Sequence, residues 1–249
     1  MTRGSEPPDA VVRYARHEDG LIDVHLPPGP PENGRPLVFY VHGGFWRQAW
    51  DRRHARPLAN ALAALGHVVA VPEYRRVGGA GGWPATAEDV EAALRTAPAL
   101  LAGIGVDTAP TTTVVGHSAG GHLALWLANQ PDLVTGGRVV ALAPVGDLRA
   151  AAAQGLGDGA TLELLGGTPQ QVPQRYDAAD PGTRMRTRPG CEVVVVHGDR
   201  DEAVPVQLSR GLKYRFGWLD YREVAGADHS ALVDPLAPAW TAVLDAIAG

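Results

Sequence analysis

Ser118 stands where the chain changes character. The β-branched run TTVVG (112–116) before it predicts a strand, and the alanine- and leucine-rich segment 118–130 predicts a helix. Between them, GHSAG (116–120) has the pattern G-x-S-x-G, with glycines where side chains would collide with neighbouring elements. Ser118 is either a plain helix N-cap or a nucleophile on a strained turn, where helix amides and the helix dipole favour negative charge. The strand–turn–helix context favours the nucleophile.

A serine hydroxyl needs a general base, and the chain has nine histidines. His229 lies in the polar loop AGADHSALVDP (225–235), between the last predicted strand and the last predicted helix, so we expect it to be the base. His117 is adjacent to Ser118, but we expect its side chain to leave the turn on another side. The other seven are predicted to shape loops, to lie on a helix or to be structural or surface groups: His17, His25, His42, His54, His67, His122 and His197. No pair of histidines has the spacing of zinc ligands, and we expect no metal.

The base needs a carboxylate that orients its ring. HGDRDEAVP (197–205) follows the most clearly buried predicted strand and offers Asp199 and Asp201. Turn chemistry explains Asp199, which leaves Asp201 as the expected partner. Asp228 and Asp234 compete, although adjacency to His229 in sequence does not aim a carboxylate at its ring. The resulting chain order, serine then aspartate then histidine, is that of one lineage of catalytic triads.

A glycine turn at HGGFW (42–46) supplies the fourth part of this chemistry. It follows the continuously apolar strand 37–41, and glycines let backbone N–H groups approach a ligand. Two such donors, together with the N–H of Ala119, could hold the oxyanion of an acyl-transfer reaction. The alternative is a tight turn with no catalytic role.

The elements around these residues alternate between strand and helix after residue 37, which predicts a mostly parallel sheet covered by helices on both faces. The predicted strands are 11–15, 21–26, 37–41, 67–74, 112–116, 138–144, 191–198 and 220–226. The predicted helices are 54–66, about 87–101 with a capping box formed by Thr86 and Asp89, 118–130, 205–216 and the tail from Pro238. Segment 27–36 is a proline- and glycine-rich turn, and 146–187 is a partly helical, cap-like insertion lying over the ligand crevice. We expect one domain over residues 1–249.

Composition excludes several classes of protein. The 249 residues carry a formal net charge of −5, with no basic footprint for nucleic acid and no basic amphipathic segment for a membrane surface. The single cysteine, Cys191, excludes an intramolecular disulfide framework, and the first ten residues lack the apolar core of a signal peptide. These features predict a soluble cytoplasmic protein that binds neither nucleic acid nor a membrane; a homodimer stays open.

Taken together, HGGFW, GHSAGG (116–121), HGDRDEAVP and DHSAL (228–232) resemble the α/β-hydrolase superfamily in type and order over residues 35–249. Within it, HGG plus an aromatic is similar to the hormone-sensitive-lipase-related esterases and to the kynurenine formamidase group, and PEYRRVGGAGGWP (72–84) resembles a segment of those esterases. An aromatic replaces the third glycine of the esterases' HGGG, which is closer to the formamidase HGGYW. The resemblance implies Ser118 as nucleophile, Asp201 as acid and His229 as base. It implies oxyanion donors at Gly44, Phe45 and Ala119.

The expected function is therefore a serine hydrolase that cleaves a small-molecule carboxylic ester or amide through an acyl-enzyme, without a cofactor. We expect Trp46 and Trp83 to contact the substrate. The alternative is an arylformamidase that hydrolyses N-formylkynurenine. A peptidase is a weaker alternative, since HGDRDEAVP also resembles the prolyl oligopeptidase group but no gating domain is present. A non-catalytic ligand-binding protein is the alternative from a different class.

Overall fold

The computed structural model describes residues 6–29 and 34–249, so part of the predicted turn 27–36 and residues 1–5 lie outside the described chain. An eight-stranded sheet runs through the described part. Its strands are β1 (Ala10–Arg13), β2 (Leu21–His25), β3 (Arg35–Val41), β4 (Val68–Pro72), β5 (Thr108–His117), β6 (Arg138–Leu142), β7 (Glu192–Gly198) and β8 (Asp220–Val224). Their spatial order is β1-β2-β4-β3-β5-β6-β7-β8. Pairings β1–β2 and β2–β4 are antiparallel and all others are parallel, which confirms the predicted mostly parallel sheet.

β3, β4, β6 and β7 each contain an uninterrupted apolar run because both faces of the sheet are covered. The main helices are α1 (Arg56–Ala64), α2 (Ala85–Gly103), α3 (Ala119–Ala128), α8 (Gln207–Arg215) and α9 (Trp240–Ala248). In β3, Val38 and Tyr40 face one side of the sheet, where α1 and α9 pack, whereas Phe39 and Val41 face the other, where α2, α3 and α8 pack. Because β3 to β8 are paired in parallel, their carboxyl ends lie at the same edge of the sheet, and the loops that follow these strands meet there.

The start of α2 differs from the prediction. Its N-cap is Pro84, and no side chain caps it. Thr86 instead donates to the carbonyl oxygen of Arg75, and both oxygens of the Asp89 carboxylate bind the Arg75 guanidinium. The capping box of Thr86 and Asp89 is thus wrong, because an arginine outside the helix is a stronger partner for the carboxylate than a backbone N–H.

The predicted insertion is present between β6 and β7 and is helical in short pieces. It contains α4 (Leu148–Ala153), α5 (Leu156–Leu165), α6 (Pro173–Ala179) and α7 (Pro181–Arg184). The insertion reaches the loop after β3: Arg47 binds Glu163 with an Nε–Oε2 distance of 2.7 Å, and the Phe45 ring lies against Gly157. The segment thus packs against the predicted oxyanion loop.

Among the described residues, no helix combines the length and apolar character needed to cross a bilayer.

Candidate active site

Ser118 occupies the sharp turn between β5 and α3. Its φ of 56° and ψ of −117° place a non-glycine residue in a strained region of backbone conformation, which costs on the order of 1–3 kcal/mol. The N–H of Ser118 donates to the carbonyl oxygen of Leu142, which holds the turn against β6. Its side chain makes no capping hydrogen bond, and an N-cap residue normally has an extended backbone. The N-cap interpretation of Ser118 therefore does not fit, and the turn has the geometry of a nucleophile elbow.

Glycines on both sides of Ser118 permit this turn because other backbone lies directly against them. A Cβ at Gly116 would come within 2.1 Å of the Gly120 carbonyl oxygen. A Cβ at Gly120 would come within 2.0 Å of the carbonyl oxygen of Val41. The first turn of α3 therefore packs directly on the end of β3, which brings Ser118 beside the loop that follows β3.

Gly120→Ala should lower the free energy of unfolding by about 3 kcal/mol, because a methyl group there meets rigid backbone. The matched control is Gly211→Ala in α8, where a Cβ would meet nothing within 4 Å. There alanine should raise the free energy of unfolding by about 0.5–1 kcal/mol through its higher helix propensity. Urea unfolding of both variants measures the difference. Equal stability of the two would contradict the close approach of α3 to β3.

Asp201 and His229 are in direct contact. The Nδ1–H of His229 donates to Oδ2 of Asp201 at 2.6 Å, and Oδ1 of Asp201 accepts from the N–H groups of Ala203 and Val204. Burial alone would raise the pKa of the Asp201 carboxyl. Hydrogen bonds from the rings of His197 and His229 outweigh burial and hold that pKa well below its usual range. The electrostatic interaction with the His229 ring and the hydrogen bond from the N–H of Val204 lower it further. Asp201 is therefore ionised and orients the His229 ring.

The competing carboxylates face elsewhere. Asp199 accepts from the N–H of Gly226, Asp228 accepts from the N–H groups of two following residues in its own loop, and Asp234 accepts from the N–H of Leu236. Each of these aspartates orders a turn, as the sequence suggested for Asp199.

His117 packs against His229, a contact that the sequence did not assign. Its ring centroid lies 4.4 Å from that of His229, and its Nε2–H donates to the His229 carbonyl oxygen at 3.0 Å. Burial, reinforced by the neighbouring His229 ring, lowers the pKa of His117 to about 3, so its ring is neutral. His117, which directly precedes Ser118, therefore holds the backbone of His229.

The Ser118 hydroxyl makes no hydrogen bond within the described residues. Ser118 and His229 are instead connected through His117, which precedes Ser118 in the chain and contacts His229. Hydrogen bonds between a nucleophile and its base are often long without substrate and tighten when it binds.

His197 is a second imidazole on the same carboxylate, and the sequence did not assign it this contact. Its Nε2–H lies 2.9 Å from the carbonyl oxygen of Val204 and 3.2 Å from Oδ2 of Asp201. Its Nδ1 lies 2.7 Å from the hydroxyl of Ser209. The His197 ring is completely buried. Asp201 therefore contacts two imidazole rings, that of His197 and that of His229.

The predicted oxyanion donors lie around the same turn. Gly44 and Phe45 have φ values of 109° and 50°, and Ala119 is the first residue of α3. A Cβ at Gly43 would lie 3.2 Å from Cβ of Ser118, so the loop touches the elbow. Within the described chain, the N–H groups of Gly44, Phe45 and Ala119 donate to no protein acceptor. These three donors are therefore free for a ligand.

Trp46 and Trp83 are the two residues predicted to contact the substrate. Trp46 is wholly buried and packs edge-on against His122, and its predicted contact with substrate stays a prediction. Its φ is 57°. Trp83 is partly buried and packs edge-on against Trp126, and its predicted contact with substrate stays a prediction. Trp50, which the sequence did not single out, is 54% exposed and lies directly on Gly44.

Among the described residues, no group of three or more histidine, cysteine, aspartate or glutamate side chains is arranged to hold a metal ion.

Comparisons with known proteins agree with this architecture. The chain is 28% identical to the esterase LipC of Mycobacterium tuberculosis, over 88% of this chain and 58% of that protein. It is 32% identical to the probable carboxylic ester hydrolase LipM of the same organism, over 71% of this chain and 43% of that protein. The chain thus spans about half the length of these curated relatives.

A truncated carbohydrate esterase from gut microbiota has the same fold, with a TM-score of 0.81, 20% identity and 98% coverage of both chains. The family model described as BD-FAE matches residues 22–216. The chain therefore belongs to the BD-FAE family, a family of α/β-hydrolases.

Proposed function

We propose that this chain is a serine hydrolase that cleaves carboxylic esters of small molecules through an acyl-enzyme. The observation that carries the proposal is the strained Ser118 turn beside the hydrogen-bonded pair of Asp201 and His229. The relatives LipC and LipM are named an esterase and a probable carboxylic ester hydrolase, which supports an ester as the substrate.

The acylation step depends on which ring nitrogen of His229 carries the hydrogen. Because Nδ1 donates to the Asp201 carboxylate, Nε2 carries the lone pair and accepts the proton of the Ser118 hydroxyl. The Ser118 oxygen attacks the ester carbonyl carbon as that proton leaves. His229 then returns the proton to the alkoxide leaving group, and the acyl group stays on Ser118. Water, deprotonated by His229, releases the acid in the second half of the reaction.

The oxyanion of both tetrahedral intermediates needs hydrogen-bond donors that are already in place. The N–H groups of Gly44, Phe45 and Ala119 are the proposed donors. Gly44 and Phe45 follow Gly43, which touches Ser118, Ala119 follows Ser118 directly, and none of the three N–H groups has a protein acceptor among the described residues. Loss of one donor of this kind typically costs about 2.7–4 kcal/mol of transition-state stabilisation.

A fluorophosphonate probe tests the nucleophile. We expect one stoichiometric adduct, which peptide mass spectrometry locates on Ser118, because only an activated serine reacts rapidly. Absence of labelling, or an adduct on another residue, would overturn the assignment. Absence of labelling would also favour the non-catalytic alternative.

A substrate panel tests the bond that is cleaved. It compares p-nitrophenyl acetate, butyrate and octanoate with N-formylkynurenine and an acetylated sugar, the last because one protein of the same fold is named a carbohydrate esterase. We expect the highest kcat/KM for an ester. A higher value for N-formylkynurenine would replace the ester proposal with the formamidase alternative.

A further inference from the structure

Asp201 lies between two imidazole rings, and both rings reach the same carboxylate oxygen. Nδ1 of His229 lies 2.6 Å from Oδ2 of Asp201, and Nε2 of His197 lies 3.2 Å from that oxygen. The other oxygen, Oδ1, accepts from the N–H groups of Ala203 and Val204. The carboxylate side chain is wholly buried, so these protein donors take the place of water. The base therefore shares its carboxylate oxygen with a second ring that takes no part in acyl transfer.

The surroundings of His197 determine which of its ring nitrogens carries the hydrogen. Its Nε2 faces two groups that only accept, the Val204 carbonyl oxygen at 2.9 Å and the ionised Asp201 carboxylate, so the hydrogen is on Nε2. Its Nδ1 lies 2.7 Å from the hydroxyl of Ser209, which donates to the lone pair on that nitrogen. Ser209 lies on α8 and is completely buried. His197 is thus held between α8 and the loop after β7 as a donor to Asp201.

The hydrogen bond from His197 stabilises the charge of Asp201. Burial alone would raise the pKa of this carboxyl, and the hydrogen bonds from His197 and His229 lower it. An oxygen that already accepts one hydrogen bond attracts a second donor less strongly, because the first donor withdraws part of its charge. Oδ2 of Asp201 therefore binds the Nδ1–H of His229 less strongly than it would without His197.

This weakening acts on the protonated form of His229. A carboxylate stabilises a neighbouring imidazolium, so a carboxylate oxygen that served His229 alone would keep the extra proton on its ring up to a higher pH. A histidine that still holds this proton cannot accept the proton of Ser118. Sharing Oδ2 between two rings therefore makes the base available at a lower pH.

The other titratable groups beside the two rings keep a constant charge above about pH 5. His117 packs against His229 from the end of β5, and burial lowers its pKa to about 3. His54, which precedes α1, interacts electrostatically with His117, and burial lowers its pKa to about 4. On β8, Glu223 interacts electrostatically with the second imidazole, and the hydrogen bond from Arg210 is the main reason that its pKa falls to about 2.

We propose that His197 is a positioning residue that sets the pH range of the reaction: by donating from Nε2 to Oδ2 of Asp201, it weakens the hold of that carboxylate on the extra proton of His229. The inference rests on the proposed function, because it assigns a role in the same site. Without this donor, the enzyme needs a higher pH to reach its maximal rate. The maximal rate itself changes little, since Asp201 still accepts from Ala203 and Val204 and still orients the base.

Two substitutions at position 197 separate this role from plain support of the fold. His197→Phe fills the buried space without a donor, whereas His197→Gln keeps an N–H near the position of Nε2. The acid limb of kcat/KM for p-nitrophenyl butyrate should move up by about 0.5–1 pH unit in His197→Phe. It should move by less than about 0.2 pH unit in His197→Gln, and the plateau kcat of both variants should stay within about 3-fold of the unmodified protein.

The matched control is His25→Phe, which replaces a buried imidazole on β2 that is bonded to Asn60. Its acid limb should coincide with that of the unmodified protein. An unchanged or lowered acid limb in His197→Phe would overturn the proposal, and so would an equal upward shift in His197→Gln. A lower plateau without a shift would also overturn it, because that result describes plain support of the fold. Absence of hydrolysis by the unmodified chain would overturn the proposed function instead.

Proton NMR titration of the His229 ring tests the same claim without a substrate. His229→Gln identifies the signals by their disappearance, and their titration midpoint should be higher in His197→Phe by the same amount as the acid limb. An equal midpoint in the two proteins would contradict the proposal.

Nitrogen-15 NMR of the unmodified protein tests the geometry even where His197→Phe does not fold. The His197 signals are those that disappear in His197→Gln. We expect its hydrogen on Nε2 at pH 8 and a bare Nδ1. A bare Nε2 would overturn the proposal, because Asp201 would then have no donor from this ring.

Discussion

Ser118→Ala should reduce kcat for p-nitrophenyl butyrate by roughly 10⁴-fold or more, because the variant has no oxygen to carry the acyl group. The residual rate comes from water attacking an ester held in the oxyanion loop. Stability should be nearly unchanged, because the Ser118 hydroxyl makes no hydrogen bond in the described structure and alanine accepts the same backbone no worse than serine does. Turnover and the urea unfolding midpoint, measured on one preparation, separate the two effects.

Ser230→Ala is the control, since Ser230 is an exposed serine in the loop that carries His229. It should behave like the unmodified protein. An unchanged rate in Ser118→Ala, with the fluorophosphonate adduct elsewhere, would remove Ser118 from the mechanism.

Much of the fold could be predicted because local signals agree with the tertiary structure. Continuous apolar runs such as those in β3 and β7 occur where both faces of a strand are covered, and the sheet has such strands at its centre. The elbow was predictable for a similar reason: backbone that lies within about 2 Å of a would-be Cβ leaves only glycine, and this requirement is visible as the motif itself.

The errors arise where a side chain's direction depends on distant partners. The burial of Trp46 is one example: Phe45 and Trp46 both have positive φ, which a local pattern does not reveal, and Trp46 is wholly buried. The capping-box pattern at Thr86 and Asp89 is local, whereas the arginine that binds Asp89 comes from the loop after β4. A single sequence contains no signal for such competition.

The contacts of His117 and His197 were missed for a related reason. Both residues sit at the carboxyl ends of strands next to a predicted catalytic residue, so their positions in the sequence were informative. Which way each ring points depends on the loop that carries His229 and on the turn at Val204, neither of which a local pattern describes. Their placement is a useful sequence signal: His117 directly precedes Ser118 and contacts His229, and His197 lies four residues before Asp201 and contacts it.

Asp201→Asn should lower kcat by roughly 10³–10⁴-fold, and the hydrogen bonds around Asp201 give the reason. Oδ1 accepts from two backbone N–H groups, those of Ala203 and Val204, so the amide oxygen of asparagine must occupy that position. The NH₂ group then faces Nδ1 of His229. An imidazole that accepts at Nδ1 carries its hydrogen on Nε2, so His229 can no longer take the proton of Ser118.

The same amide also faces His197, whose Nε2–H is fixed as a donor by the Val204 carbonyl. Two donors then oppose each other in a buried space, and the free energy of unfolding should fall by about 1–3 kcal/mol. Asp228→Asn is the control, because asparagine can still accept from the N–H groups that Asp228 binds and faces neither ring. Nitrogen-15 NMR should show the hydrogen of His229 on Nε2 in Asp201→Asn and on Nδ1 in the control. A normal kcat in Asp201→Asn would mean that the tautomer of His229 is set by another group, with Asp199 as the next carboxylate to test.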